Sequence, residues 1–126
     1  MTTHKLSFAN IKILAPDLAE VIVDHGVEMT GSMVDEYHDF LRGHLSAPFS
    51  LLINKINEYS YDFSAQEKLA AIPEIDRMAV VAYKRATVNV TRLMTKIPRE
   101  YQWQLEIFSD RNTALAWLQD EYLSKA

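Results

Sequence analysis

The chain has no cysteine, so it holds neither a disulfide nor a thiolate metal site. That fits a reducing compartment. It has three glycines in 126 residues, which excludes a glycine-rich phosphate loop, and no Gly-x-Ser-x-Gly elbow for a nucleophilic serine occurs. Four prolines leave little room for a linker, and no repeat or low-complexity stretch is visible. No apolar run approaches the ~18 residues of a membrane span, and no signal-type run follows Met1–Lys5. A cytoplasmic protein with no transmembrane segment is expected. The last deficit is local: acidic residues are missing from Arg77 to Arg99, where six basic ones stand. The remainder carries 7 basic against 17 acidic residues, a net of −10. With an overall charge of −4, nucleic-acid binding is not expected.

At 126 residues and 48% hydrophobic content, residues 1–126 make one globular domain with one core. The stretch Phe49–Tyr83 organises it. The apolar run at Leu51, Leu52 and Ile53, a helical segment over Ser64–Ile72 and a second run over Met78–Tyr83 form a βαβ unit. Upstream, Leu6 and Phe8, then Ile11 and Ile13, alternate as in a strand over Leu6–Leu14, with Asn10 marking a bulge or turn. Leu18–Asp24 is a second strand, His25 and Gly26 make a tight turn, and Val27–Met29 completes an antiparallel meander.

A first helix follows Thr30, capped by Ser32 or by Thr30, with Met33, Val34, Tyr37, Phe40 and Leu41 on one face and a stop at Gly43. Asn57–Phe63 reads as a polar, aromatic loop. Ser64 and Glu67 form a capping box, so the second helix starts at Ala65 and Pro73 ends it. Thr87–Ile97 has β-branched residues but also the helical spacing of Val90, Leu93, Met94 and Ile97. It is predicted helical, with Pro98 as its end. Gln104–Phe108 is the last strand. Ser109 or Asp110 caps a final helix buried through Ala114, Leu115, Trp117, Leu118 and Tyr122. The order is β-β-β-α-β-α-β-α-β-α, an α/β domain with a mixed sheet of about five to six strands and about four helices.

Several of these residues together resemble the SpoIIAA-like, STAS-like bacterial domains. They are the strand Arg77–Tyr83, the helix bearing Leu93 and Met94, Leu105–Phe108 running into Ser109 and Asp110, and Ala114–Leu118. Val21–Asp24, the turn at Gly26 and the helix after Thr30 extend the match over roughly residues 11–118. The resemblance implies a regulatory module that binds a partner protein or a small ligand, not usually an enzyme and with no cofactor. In the anti-sigma-factor antagonists of that group a serine in an Asp-Ser-Ser-Gly context is phosphorylated. The corresponding turn here, Ser60–Ser64, has serines but lacks that sequence.

A phosphate on Ser64 would meet a helix N-terminus, but Glu67 assigns Ser64 to capping. The basic stretch is the other candidate. Tyr83, Lys84, Arg85 and Thr87 fall at the carboxyl edge of the sheet, where ligands of open α/β sheets bind, and Arg92 and Lys96 extend the patch at i, i+4 spacing. An anionic or lipid-like ligand is the functional reading; a solvated face or a homodimer contact is the alternative. His38 and His44, six apart, do not have a zinc spacing, and His25 reads as a turn residue. Tyr59, Tyr101 and Trp103 fall in loops, where they could line a pocket or a partner surface. The leading expectation is a non-catalytic, partner-binding module, with a carrier or sensor of a small amphipathic or anionic ligand as the alternative.

Overall fold

A computed structural model describes residues 2–69, 71–96 and 104–125, with side chains of the last helix described through residue 119. The elements are β1 (Thr2–Lys5), β2 (Ala9–Ala15), β3 (Leu18–Val23), β4 (Glu28–Met29), α1 (Gly31–His44), β5 (Phe49–Lys55), β6 (Ser60–Tyr61), α2 (Phe63–Lys68), β7 (Ile75–Ala82), α3 (Arg85–Met94), β8 (Gln104–Phe108) and α4 (Arg111–Lys125). Six strands form one sheet in the order β1-β2-β3-β5-β7-β8. β1, β2 and β3 pair antiparallel; β3, β5, β7 and β8 run parallel. The predicted α/β architecture, with an antiparallel opening and four helices, is the one observed.

The centre of the parallel half is built from β5 and β7, which are covered on both faces. Leu51, Leu52, Val81 and Ala79 are fully buried, although neighbours point to opposite faces. On one face, register aligns Ala19, Leu51, Met78 and Leu105 in one row and Val21, Ile53, Val80 and Ile107 in the next. Val34, Tyr37 and Leu41 of α1 and Ala65 of α2 pack over that face. On the other face Leu18, Leu52, Ala79 and Val81 meet Ala114 and Leu118 of α4.

Several boundaries differ from the sequence reading. The strand expected over Leu6–Leu14 is a hairpin of β1 and β2, closed by Leu6 N–H donating to Ala9 O at 2.8 Å. Thr2–Lys5 carries no apolar period; it is recruited by backbone pairing to β2, with His4 edge-on to Phe40 and His44 of α1 and Lys5 paired with Asp24. β4 leaves the meander and pairs in parallel with β6, inside the stretch expected to be loop. Thr30, the alternative cap, caps α1: its hydroxyl accepts from Met33 N–H at 3.2 Å. The helix passes Gly43 and ends at His44. α2 is capped by Asp62, not Ser64; Asp62 Oδ1 accepts from Ala65 N–H at 2.7 Å. Asp62 N–H donates to Met29 O at 2.9 Å, which holds it extended as the last residue before the helix. α2 stops at Lys68, short of Pro73. α3 is helical as expected but begins two residues earlier, at Arg85. Asp110 caps α4 through Thr113 N–H at 2.9 Å. Ile97, Pro98, Arg99, Tyr101 and Trp103, and the side chain of Tyr122, lie outside the described residues.

Candidate functional site

The face under α1, α2 and α3 is incompletely filled. A cavity lies between the sheet rows and α3, floored by Val21, Leu51, Ile53, Met78, Val80 and Leu105 and roofed by Thr91, Met94 and Thr95. Its enclosed volume is about 50 Å³; counted outward through its mouth into space open to solvent, it is about 690 Å³. The smaller value sets what the present closed arrangement holds, and it is below the ~150 Å³ that admits a benzene.

α3 is the loosest wall. Thr91 is its one buried residue. The Thr91 hydroxyl donates back to Thr87 O at 2.8 Å, so it is used within the helix and does not tether the helix to the sheet. The N-cap residue Lys84 supplies no side-chain cap bond. Val90 and Leu93 are 52% and 64% exposed, so the apolar stripe read from the sequence points only partly inward.

Polar groups gather at one end of the cavity. Lys55 continues the alternation of Leu51 and Ile53 on the cavity face. Its Nζ lies 5.3 Å from the ring centroids of both Tyr59 and Tyr61, within cation–π range. Those two rings meet edge-on at 5.4 Å, and Tyr61 O–H donates to the Tyr59 hydroxyl oxygen at 3.1 Å. The Tyr37 hydroxyl is buried and has no hydrogen-bond partner among the described residues. Burial, with the nearby Tyr61 adding to it, pushes the Tyr37 phenol far above its ordinary range. Tyr59 is raised for the same two reasons in the same order. Both are neutral O–H donors at physiological pH.

The opposite face is polar in a different way. Glu20 is buried beneath Arg111, which donates Nε–H to Oε2 at 3.0 Å and Nη2–H to Oε1 at 2.8 Å. Asn54 donates to Glu20 Oε2 at 3.0 Å, and Tyr83 O–H donates to Asn54 Oδ1 at 2.9 Å. Burial alone would raise the Glu20 carboxyl; the bonds from Arg111 and Asn54 outweigh it and hold the group below its ordinary range.

The residues singled out from the basic stretch are not brought together at the cavity. Tyr83 belongs to the Glu20–Asn54 network. Lys84 pairs with Glu58. Arg85 opens α3, Arg92 lies beside β8 across from Glu106, and Lys96 is exposed. Thr87 contributes its carbonyl to Thr91. Ser64 sits exposed in the first turn of α2. His44 stacks on Phe40 at 4.0 Å and His38 is buried in α1; among the described residues no group of His, Asp and Glu is placed to hold a metal ion. Of the loop aromatics only Tyr59 can be placed, and it does line the cavity. Lys55, Tyr37 and Tyr61 were not read as site residues. A lysine closing an alternating apolar strand was the available signal.

By structure the chain is similar to an uncharacterised protein of the DUF3478 family with a SpoIIAA-like fold, from Shewanella loihica PV-4. The TM-score is 0.57 at 19% identity, over 94% of this chain and 99% of that one. No family model and no curated protein matches the sequence. The likeness shows the fold: the chain has a SpoIIAA-like α/β fold. Among the described residues no helix is long and apolar enough to cross a membrane.

Proposed function

We propose that the chain acts by binding rather than catalysis, as a carrier or sensor of a small amphipathic ligand held between the sheet and α3. The observation that supports this reading is a mostly apolar cavity lined by a few polar side chains, among them Lys55, Tyr37, Tyr59 and Tyr61, the composition expected of a small-molecule site. Its enclosed volume is too small for such a ligand while α3 is seated, so α3 swings outward on loading. The cost is small because Thr91 is the helix's one buried residue and its hydroxyl bonds back within the helix. The test is native mass spectrometry of the full chain purified without detergent, beside its denatured mass, with binding of anilinonaphthalene sulfonate to the delipidated chain. Extra native mass per subunit, or saturable dye binding competed by fatty amphiphiles, is expected. A bare native mass together with no dye binding overturns the reading.

A second reading rests on the surface. Ile56, Phe63, Tyr83, Val90 and Leu93 are large, apolar and exposed, a composition found where proteins meet partners. In that reading the module pairs with another protein, or with itself, in the cytoplasm. Size-exclusion chromatography with light scattering of the wild type and of Val90→Asp with Leu93→Asp tests the self-pairing arm. A dimer abolished by the double variant supports it; a monomer at all concentrations removes it.

A further inference from the structure

The polar end of the cavity is one-sided in charge and in hydrogen-bonding sense. Among the described residues that line it there is one cation, Lys55, and no carboxylate. No carboxylate partner of Lys55 occurs among the described residues; its ammonium rests over two tyrosine rings. Tyr61 spends its proton on Tyr59, which leaves the Tyr59 proton for another acceptor. Tyr37 presents a buried hydroxyl with no partner among the described residues, an arrangement that costs stability unless something accepts from it. The end therefore offers three donors and one positive charge, and lacks an acceptor that carries negative charge.

We propose that this end receives the carboxylate of a monoanionic amphiphile. Lys55 supplies the charge, and Tyr37 and Tyr59 donate O–H bonds to its two oxygens. The apolar body lies along Val21, Leu51, Met78 and Val80. A single cation with two neutral donors matches one negative charge; a phosphate dianion would bring a second charge into an apolar cavity with nothing to balance it. This assignment rests on the carrier reading and adds the chemistry and orientation of the head group.

The test uses the full chain and three probes of equal chain length: decanoate, 1-decanol and decyl phosphate. Affinities are measured by calorimetry on the wild type, Lys55→Met and Tyr37→Phe. Decanoate is expected to bind the wild type at least ~10-fold tighter than 1-decanol, the scale of one charge-assisted contact. Lys55→Met should erase that advantage and leave 1-decanol within about twofold of its wild-type value, the range left when only the head-group charge changes. Tyr37→Phe should reduce the advantage while keeping the fold, because it removes only a hydroxyl that has no partner among the described residues.

Equal affinity for decanoate and 1-decanol, or an advantage that survives Lys55→Met, overturns the head-group assignment while the carrier reading stands. Decyl phosphate binding tighter than decanoate overturns the monoanion. If none of the three binds, both readings fall together.

Discussion

The two faces of the sheet are built from alternate residues of the same strands, yet each carries a polar cluster of a different kind. On the α4 face, Glu20, Asn54, Tyr83 and Arg111 satisfy one another in a single network. On the other face, among the described residues, the buried Tyr37 hydroxyl has no hydrogen-bond partner and Lys55 lies over rings rather than beside a carboxylate. A closed network stabilises and orients its own members, and little of it is left to hold anything else. Unspent donors next to unfilled volume are the arrangement that an incoming ligand completes. The Glu20 network is thus structural, and the cavity face is where binding is to be sought.

Leu51 and Leu52 give the sharpest version of that comparison. They are neighbours on β5, both fully buried, and point to opposite faces. Leu52→Ala removes a side chain from the small packed cluster under α4 and should cost roughly 3–4 kcal/mol. Leu51 already borders a cavity, so it has fewer contacts to lose, and Leu51→Ala should cost only about 2–3 kcal/mol. Urea unfolding with an unchanged m value measures both. Equal costs, or the reverse order, would mean that the cavity face is as well packed as its opposite. Only Leu51→Ala should change amphiphile binding.

This contrast also marks what could be read from the residues alone. The βαβ core was legible because Leu51–Ile53 and Met78–Tyr83 are apolar on both parities, and α3 because four residues share a helical face. β1 was not, since Thr2–Lys5 joins by backbone bonds at the sheet edge and carries no period. β4 was legible as a strand over Val27–Met29 but not its parallel pairing, because its partner β6 is two residues long, too short for any pattern. At α2 both Asp62 and Ser64 are acceptable caps by residue type; the bond from Asp62 N–H to Met29 O decides between them, and that contact is tertiary. The cavity depends on volumes contributed by β3, β5, β7, β8 and α3 together, which no local spacing encodes. Lys55 was hidden because a lysine at a strand end resembles a solvated terminus.

Acid should separate the two sides of the sheet along the pH axis. His38 in α1 is held at about 4 against an ordinary 6.5, first by burial and then by Arg42, with Asp35, Asp39 and Glu74 opposing, a gap of about 3 kcal/mol. Unfolding takes up a proton between those two values, so this stability is fully present above about 6.5 and is lost as pH falls towards about 4. Glu20 acts lower: its contribution is full above its ordinary 4.5 and is lost as pH falls through its depressed folded value. Urea midpoints from pH 7.5 to 3 should therefore decline in two stages. His38→Gln should flatten the upper stage alone; a slope unchanged by that substitution would remove His38 as its source.

Cutting the α4-face network should give a smaller effect. Arg111→Met strands the buried Glu20 carboxylate, and such losses reach 3–5 kcal/mol for fully buried pairs. The Arg111 side chain is 37% exposed, so solvent offsets part of the loss and about 2 kcal/mol is expected. Adding Glu20→Leu should recover part of it, because the stranded charge is then gone. A double variant no more stable than Arg111→Met would show that packing of the guanidinium stem, not the buried charge, carries the effect.

The smallest expected difference tests the one cap on which residue type and structure disagree. Asp62 accepts from Ala65 N–H, while Ser64 lies inside the first turn with its hydroxyl near Gly31. Asp62→Ala should cost about 1 kcal/mol, the usual loss for an N-cap. Ser64→Ala should stay within about 0.5 kcal/mol, as for a surface position without a cap role. The ratio matters for the cavity as well, because α2 follows directly on Tyr59 and Tyr61. A lost cap frees the segment that holds those two rings under Lys55. Asp62→Ala should then weaken decanoate binding more than its small stability cost implies, and Ser64→Ala should leave it unchanged. The opposite pattern would return the cap to Ser64 and detach α2 from the site.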